Sequence, residues 1–295
     1  MRFSHIRQLL LPLLVFLFLN GLGSWAQAEV FRGPQSSAMG GTGVAGLEGA
    51  EGALLNPALI PMHSGSGVDA YFRDGEIDLG QHWHSYGVGG LDNGPEVFFP
   101  GALHYLRLRQ TGDHSEPVNS EFWQLAVGER AGEHFALGLS VQRLVQDTEL
   151  GKRFTQWNYT IGSVIPINTG LGVAYVLRNL AQVGSDVPLA LREEFQQTLG
   201  VYAGLGEVAR VRFDVSRLER QNPDHKLDFR FGFESKTSPL MVLRMGYRYD
   251  DLTGRRLWTA GVGFDGPRLK AHYAFEKNQD RVSGALHSVD LSLPF

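Results

Sequence analysis

The sequence predicts an all-β protein whose strands close into an up-and-down antiparallel transmembrane β-barrel. Three observations carry this: apolar and small or polar residues alternate with period two, connections alternate between short and long, and the last segment ends on an aromatic, Phe295. Period two marks a strand, because successive side chains leave a pleated sheet on opposite faces. The mean hydropathy is slightly negative. That is compatible with a membrane barrel, in which outward apolar residues are averaged against inward polar ones.

Taken in chain order, the first element is an expected leader over residues 1–28. Arg2 and Arg7 precede an apolar stretch from Leu9 to Leu19, and small residues follow, ending in Ala26-Gln27-Ala28. This is the order of a secretory signal peptide. The stretch is shorter than the roughly 20 apolar residues that a spanning helix needs, and no later segment supplies one. Removing Arg2 and Arg7 moves the formal charge from −4 to −6. Acids and bases are mixed along the chain, so no nucleic-acid footprint is visible. With no cysteine in the chain, neither a disulfide framework nor a thiolate metal site is available.

Residues 29–64 form the second unit, a glycine-rich plug. Gly33-Pro34-Gln35-Ser36-Ser37-Ala38-Met39-Gly40-Gly41-Thr42-Gly43-Val44-Ala45-Gly46 is followed by Gly52-Ala53-Leu54-Leu55-Asn56-Pro57-Ala58-Leu59-Ile60-Pro61-Met62. Glycine allows close backbone approach and tight turns, so this segment can pack compactly inside a lumen. Asn56 offers a donor and an acceptor for a confined polar site, and Pro57 pre-sets a turn toward the first strand. Gly41 to Gly46 matches the dinucleotide-binding fingerprint letter for letter. It lacks the preceding strand, the following long helix and the acidic residue of that motif.

Residues 65–295 form the barrel. The alternation sets Phe135, Leu137, Leu139 and Val141 against Ala136, Gly138, Ser140 and Gln142. It sets Trp157, Tyr159 and Ile161 against Asn158, Thr160 and Gly162. The same pattern recurs in Leu171 to Leu177, Leu227 to Phe233, Met241 to Tyr249, Leu269 to Phe275 and Val289 to Phe295. Short turns at 130–132, 166–168, 205–206, 236–239 and 265–266 alternate with longer polar stretches, including those around Asp186, Pro223 and Asn278. Bacterial barrels alternate short periplasmic turns with longer external loops in this way, whereas Greek-key sandwiches do not. Counting back from Phe295 gives about twelve strands, and a weaker pair, Gly67 to Asp74 and Gln81 to Leu91, brings the number to about fourteen. Trp83, Trp123, Trp157, Tyr247, Tyr249 and Trp258 are expected in interfacial girdles. Together these features place the chain in the bacterial outer membrane.

Met39-Gly40-Gly41, Gly43 and above all Asn56-Pro57-Ala58-Leu59-Ile60 make the segment from Gly33 to Met62 resemble the N-terminal hatch of the FadL-type outer-membrane transporters of hydrophobic compounds. The PorV-type outer-membrane proteins share a related opening. The resemblance implies a monomeric fourteen-stranded barrel plugged by its hatch. It also implies passage of small hydrophobic or amphipathic molecules, such as fatty acids, with a sideways exit into the membrane. The alternative it carries is a PorV-like scaffold that acts through protein partners. Expected partners are the outer-membrane bilayer, the barrel-assembly machinery reading Phe295, and a small hydrophobic ligand.

The inward positions then receive Arg178, Arg212, Asp214, Asp228, Arg230, Glu234, Arg244, Arg248, Lys270, His272, Glu276 and Asp290. Mutually paired charges are one reading of this set, since unpaired charge in a confined site is costly. The other has Arg230, Arg244 and Arg248 holding an anionic head group. In the third strand Leu103 and Tyr105 have one phase and Leu106 and Leu108 the other, so a β-bulge at Tyr105 and Leu106 is expected. In the resembling family a third-strand kink opens the lateral exit. His82 and His84 share a strand face, but no third ligand stands at a telling distance, so no metal site is assigned. Ser140, Ser288 and His287 occur without a triad frame. Neither an enzyme nor a cofactor is expected.

Overall fold

The computed structural model describes residues 31–46, 49–78, 81–112, 115–132, 134–181, 184, 186–188, 191–206, 208–218, 226–251, 254–279 and 284–295. The expected leader and the loop around Pro223 lie outside these residues. Fourteen strands follow one another: β1 (Gly65–Asp78), β2 (Gln81–Asn93), β3 (Gly101–Gly112), β4 (Ser115–Arg130), β5 (Ala136–Thr148), β6 (Arg153–Asn168), β7 (Leu171–Arg178), β8 (Gln196–Leu205), β9 (Ala209–Leu218), β10 (Lys226–Lys236), β11 (Met241–Asp250), β12 (Arg255–Asp265), β13 (Lys270–Asn278) and β14 (Leu286–Pro294). Each pairs antiparallel with its sequence neighbours, and β1 pairs with β14 to close the barrel. Closure leaves no strand edge unpaired, which hydrocarbon surroundings demand.

Alternation sorts the two faces. Leu125, Leu139, Met245, Trp258 and Leu291 are exposed on the outside, whereas Gln124, Ser140, Arg244, Thr259 and Asp290, one step away, are buried inside. An apolar exterior around a polar interior is the inverse of a soluble core, and it is the surface of an outer-membrane barrel. The chain enters β1 and leaves β14 at one end, where the Phe295 N–H donates to the Ser66 carbonyl at 2.9 Å; from β6 onward this end carries the shorter connections, although β1–β2 and β3–β4 turn tightly at the other. This end is periplasmic by the turn-length rule.

Two sequence expectations are corrected. No bulge interrupts β3 at Tyr105 and Leu106: Val88 pairs with Tyr105 and Gly87 with Leu106, and Tyr105 and Leu106 pair in turn with Trp123 and Phe122. The phase change has another cause. Leu106 is buried inside the barrel with Leu54 and Tyr71, and Leu108 packs against Trp83, Leu257 and Leu286, so apolar residues occupy inward positions here. Trp83 itself belongs to that interior cluster and not to a girdle. Its neighbours His82 and His84 face outward toward Asp74, with His84 Nδ1 3.0 Å and His82 Nε2 3.8 Å from Oδ1.

Candidate functional site: the plugged lumen and its vestibule

Three short elements fill the periplasmic half of the lumen: α1 (Pro34–Ser37), α2 (Gly49–Leu55) and a 3-10 helix (Pro57–Met62). None is long enough to persist alone, so packing and side-chain bonds must hold them. Met39, Ala53, Ala58 and Ile60 are completely or almost completely buried. The Glu51 carboxyl ties α2 to α1, accepting from the Gln35 N–H at 3.1 Å and the Ser36 N–H at 2.9 Å. Burial pushes this carboxyl up to about 7, against the lowering effect of its bonds to Ser36.

The wall meets the hatch with glycine. Gly128, Gly138 and Gly162 stand directly opposite one another across β4, β5 and β6. A Cβ on any of them would run into Asn56, Pro57 or Pro61. A second row, Gly232 and Gly246 on β10 and β11, receives Met39 and Gly40. Thr259 continues this row on β12. Its hydroxyl accepts from the Gly40 N–H at 2.8 Å and donates to the Ala38 carbonyl at 2.9 Å. Gly40, at φ 67°, presses on the Tyr247 and Phe231 carbonyls, where a side chain has neither room nor a favourable backbone conformation.

Polar anchors fix the register. Asn56 caps the 3-10 helix by accepting from the Ala58 N–H at 3.0 Å, and its Nδ2 donates to the Val44 carbonyl at 2.7 Å. Asp214 on β9 accepts from the Gly43 N–H at 2.9 Å and the Val44 N–H at 3.3 Å. The amides of the fingerprint-like loop therefore already donate to a wall carboxylate, which takes the place that a phosphate would need. His104 Nε2 donates to the Ala50 carbonyl at 2.9 Å, and Arg178 donates to the Leu55 carbonyl.

On the external side, part of the connection between β7 and β8 bonds to inward-facing wall residues, which the sequence did not reveal. Residues 191–194, between β7 and β8, fold into the lumen. Gln156 Nε2 donates to the Leu191 carbonyl at 2.7 Å, Asn158 Nδ2 donates to Glu193 Oε2 at 2.8 Å, and the Glu193 N–H returns a bond to Gln156 Oε1 at 3.1 Å. Burial raises the Glu193 carboxyl. Below the hatch, a cavity of about 1080 Å³ opens at the short-turn end. Leu59, Met62, Val164 and Tyr202 supply apolar walls, and His63, Arg210 and Lys236 supply basic ones.

Solved structures share this fold. The toluene transporter TbuX of Ralstonia pickettii aligns over 90% of this chain and 99% of its own, with a TM-score of 0.68 at 13% identity. The fold is that of the FadL-type transporters. The CymD monoaromatic hydrocarbon channel aligns over 90% of this chain and 98% of its own, with a TM-score of 0.74 at 13% identity. A Pseudomonas aeruginosa FadL homologue gives 0.65 at 11% identity over 93% of this chain and all of its own. No family model matches the sequence, and no curated protein is similar to it by sequence.

Within this FadL-type barrel, the three arginines singled out from sequence do not converge on one point. Arg230 and Arg248 face each other across β10 and β11 and share Asp228, which Arg248 Nε contacts at 3.1 Å. Arg244 lies nearer the periplasmic end and bonds Glu234 at 2.8 Å. All three are engaged by wall carboxylates, as are Arg73 with Glu276 at 2.9 Å and His272 with Asp290 at 2.8 Å. Arg210 and Lys236 were not singled out, because at the end of a strand alternation no longer tells a lumen-facing cation from a solvated one.

Proposed function

We propose that this chain is a monomeric outer-membrane channel for small hydrophobic or amphipathic molecules, fatty acids among them. The observation that carries the reading is the seating of the hatch. A segment lying on side-chain-free rows and held by a few polar anchors is suited to shift, and an open cavity with apolar walls lies directly beneath it. The similarity to TbuX, a toluene transporter, and to CymD, a monoaromatic hydrocarbon channel, supports a hydrophobic substrate range. The aromatic Phe295, with an exposed side chain and a paired backbone, is read as the signal taken by the barrel-assembly machinery. The test is uptake of labelled fatty acids and toluene by a deletion strain with and without the gene restored. Restored uptake of either class is expected; equal uptake in both strains would sink the reading.

One observation favours a second reading, a scaffold that acts through protein partners. Both the hatch and residues 191–194 are bonded into the lumen, and Arg230, Arg244 and Arg248 are paired with wall carboxylates. Such a scaffold would show no uptake phenotype and would co-purify with a defined partner after crosslinking in intact cells.

A further inference from the structure

We propose that the outward face of β3–β6 is a docking site for a phosphorylated glycolipid of the outer leaflet, whose phosphates are held by Arg107 and Arg143 and whose acyl chains lie along the apolar wall beneath them. The inference rests on the outer-membrane placement of the barrel and not on the channel reading above.

The lipid-facing surface differs in charge between its two ends. In the outward rows, exposed cations stand toward the external end: Arg107 and Arg109 on β3, Arg143 on β5, Arg153 on β6, Arg256 on β12 and Lys277 on β13. At the periplasmic ends of β2 and β4 the outward rows finish on acids, Asp92 and Glu129. Between the two levels Leu103, Leu125, Leu139 and Ile161 are exposed to lipid. Basic side chains beside a bilayer are drawn to anionic head groups, so a cationic rim at the external end complements a leaflet built of phosphorylated lipid.

Within this rim, β3–β6 hold their cations on aromatic rings. Tyr105 pairs with Trp123, Trp123 with Arg143 and Arg143 with Trp157, whereas two residues further out Tyr86 pairs with Arg107 and Arg107 with Glu121. Arg143 thus lies between two indoles, its Cζ 5.9 Å from the Trp157 ring centroid. The Tyr105 and Trp123 rings pack at 4.6 Å, and Arg107 donates to the Tyr86 hydroxyl. These contacts keep both guanidinium groups at the level of the aromatic belt, where interfacial rings sit at head-group depth. A guanidinium supported by a ring retains N–H donors along its edge, in the planar fork that suits phosphate. The described carboxylates on this face are Glu121, beside Arg107 in register, and Asp147, which accepts two bonds from Arg153 at 2.7 and 2.9 Å. Ion pairs at an exposed rim are weak. A glycolipid displaces them with two contacts at once, phosphate on guanidinium and acyl chain on the leucines below. A free phosphate ion gains only the first of these.

The test uses the full-length protein folded in detergent, with native mass spectrometry reading the affinity of each bound lipid. The probes are bisphosphorylated lipid A, the same lipid with both phosphates removed, and phosphatidylglycerol. The bisphosphorylated lipid is expected to bind at least about tenfold tighter than its dephosphorylated form, since it alone makes charge-assisted bonds. Arg107→Gln/Arg143→Gln should lose about that factor, whereas Arg256→Gln/Lys277→Gln, on the opposite wall, should keep the tight binding. Heat-modifiable migration on gels checks that each variant has folded, and the comparison of probes on the unaltered protein needs no variant. Equal binding of the phosphorylated and dephosphorylated lipids, or phosphatidylglycerol bound as tightly as the bisphosphorylated lipid, would overturn the site. So would unchanged affinity in folded Arg107→Gln/Arg143→Gln, an equal loss in the two variants, or capture of inorganic phosphate as tight as that of the lipid. Uptake of toluene and fatty acids tests the channel reading separately, so either can fail while the other stands.

Discussion

Asn56 is completely buried and uses both ends of its amide, one to cap the helix that follows and one to hold the loop around Val44. Leucine in its place leaves a buried carbonyl and a helical N–H without partners, a cost of about 1–3 kcal/mol. That cost falls on the hatch and not on the barrel ladder. Asn56→Leu should therefore fold and insert normally yet show higher ion conductance in planar bilayers, and an unchanged conductance would count against the anchor. Glu51 predicts a pH response. Its carboxyl sits at about 7 in the folded chain against 4.5 when solvated. A raised value means that the protonated form is favoured by folding, so the contribution to docking is full below the solvated value and is lost as pH rises through about 7. Protection of hatch amides from hydrogen exchange should fall between about pH 6 and 8, and Glu51→Gln should flatten that profile. Asn56 was legible in sequence because its role is local, with its cap two residues away. Glu51 was not, since its partners Gln35 and Ser36 lie sixteen and fifteen residues away.

Strands were legible wherever alternation runs clean, as in β5, β6 and β11, because burial on one face repeats the hydropathy pattern on the other. The failure at β3 has a physical origin: two inward leucines sit against other apolar residues inside the lumen, and period-two reading assigns every leucine to the lipid side. The inward bonding of the β7–β8 connection was not legible for a different reason. A polar segment has the same composition whether water or Gln156 and Asn158 complete its hydrogen bonds. Cutting the connection back to a tight turn should raise conductance, whereas a lid without consequence for permeation would leave it unaltered. Topology can be read by cysteine labelling in a chain that has none of its own. Asp186→Cys and Gln279→Cys should react with an impermeant maleimide on intact cells, and Ala131→Cys and Arg268→Cys should react only after the outer membrane is opened. Reaction of both pairs alike would refute the meander.

At the scale of the whole molecule, all fourteen strands come from one chain and the seam between β1 and β14 is hydrogen-bonded like the rest of the wall. The barrel should therefore resist detergent at room temperature and shift its gel migration only after boiling; identical migration before and after would argue against closure. The hatch is a different kind of part. Where it rests on Gly128, Gly138, Gly162, Gly232 and Gly246, the wall contributes mainly backbone, and little of the barrel's own cohesion depends on an occupant. Socket and insert then become separable reagents. A barrel beginning at residue 65 should form a persistently conducting pore, and a synthetic peptide of residues 31–64 added from the periplasmic side should interrupt its current in discrete blockades. The lengths of those blockades would report directly how long the insert stays home, and an Asn56→Leu peptide should leave sooner.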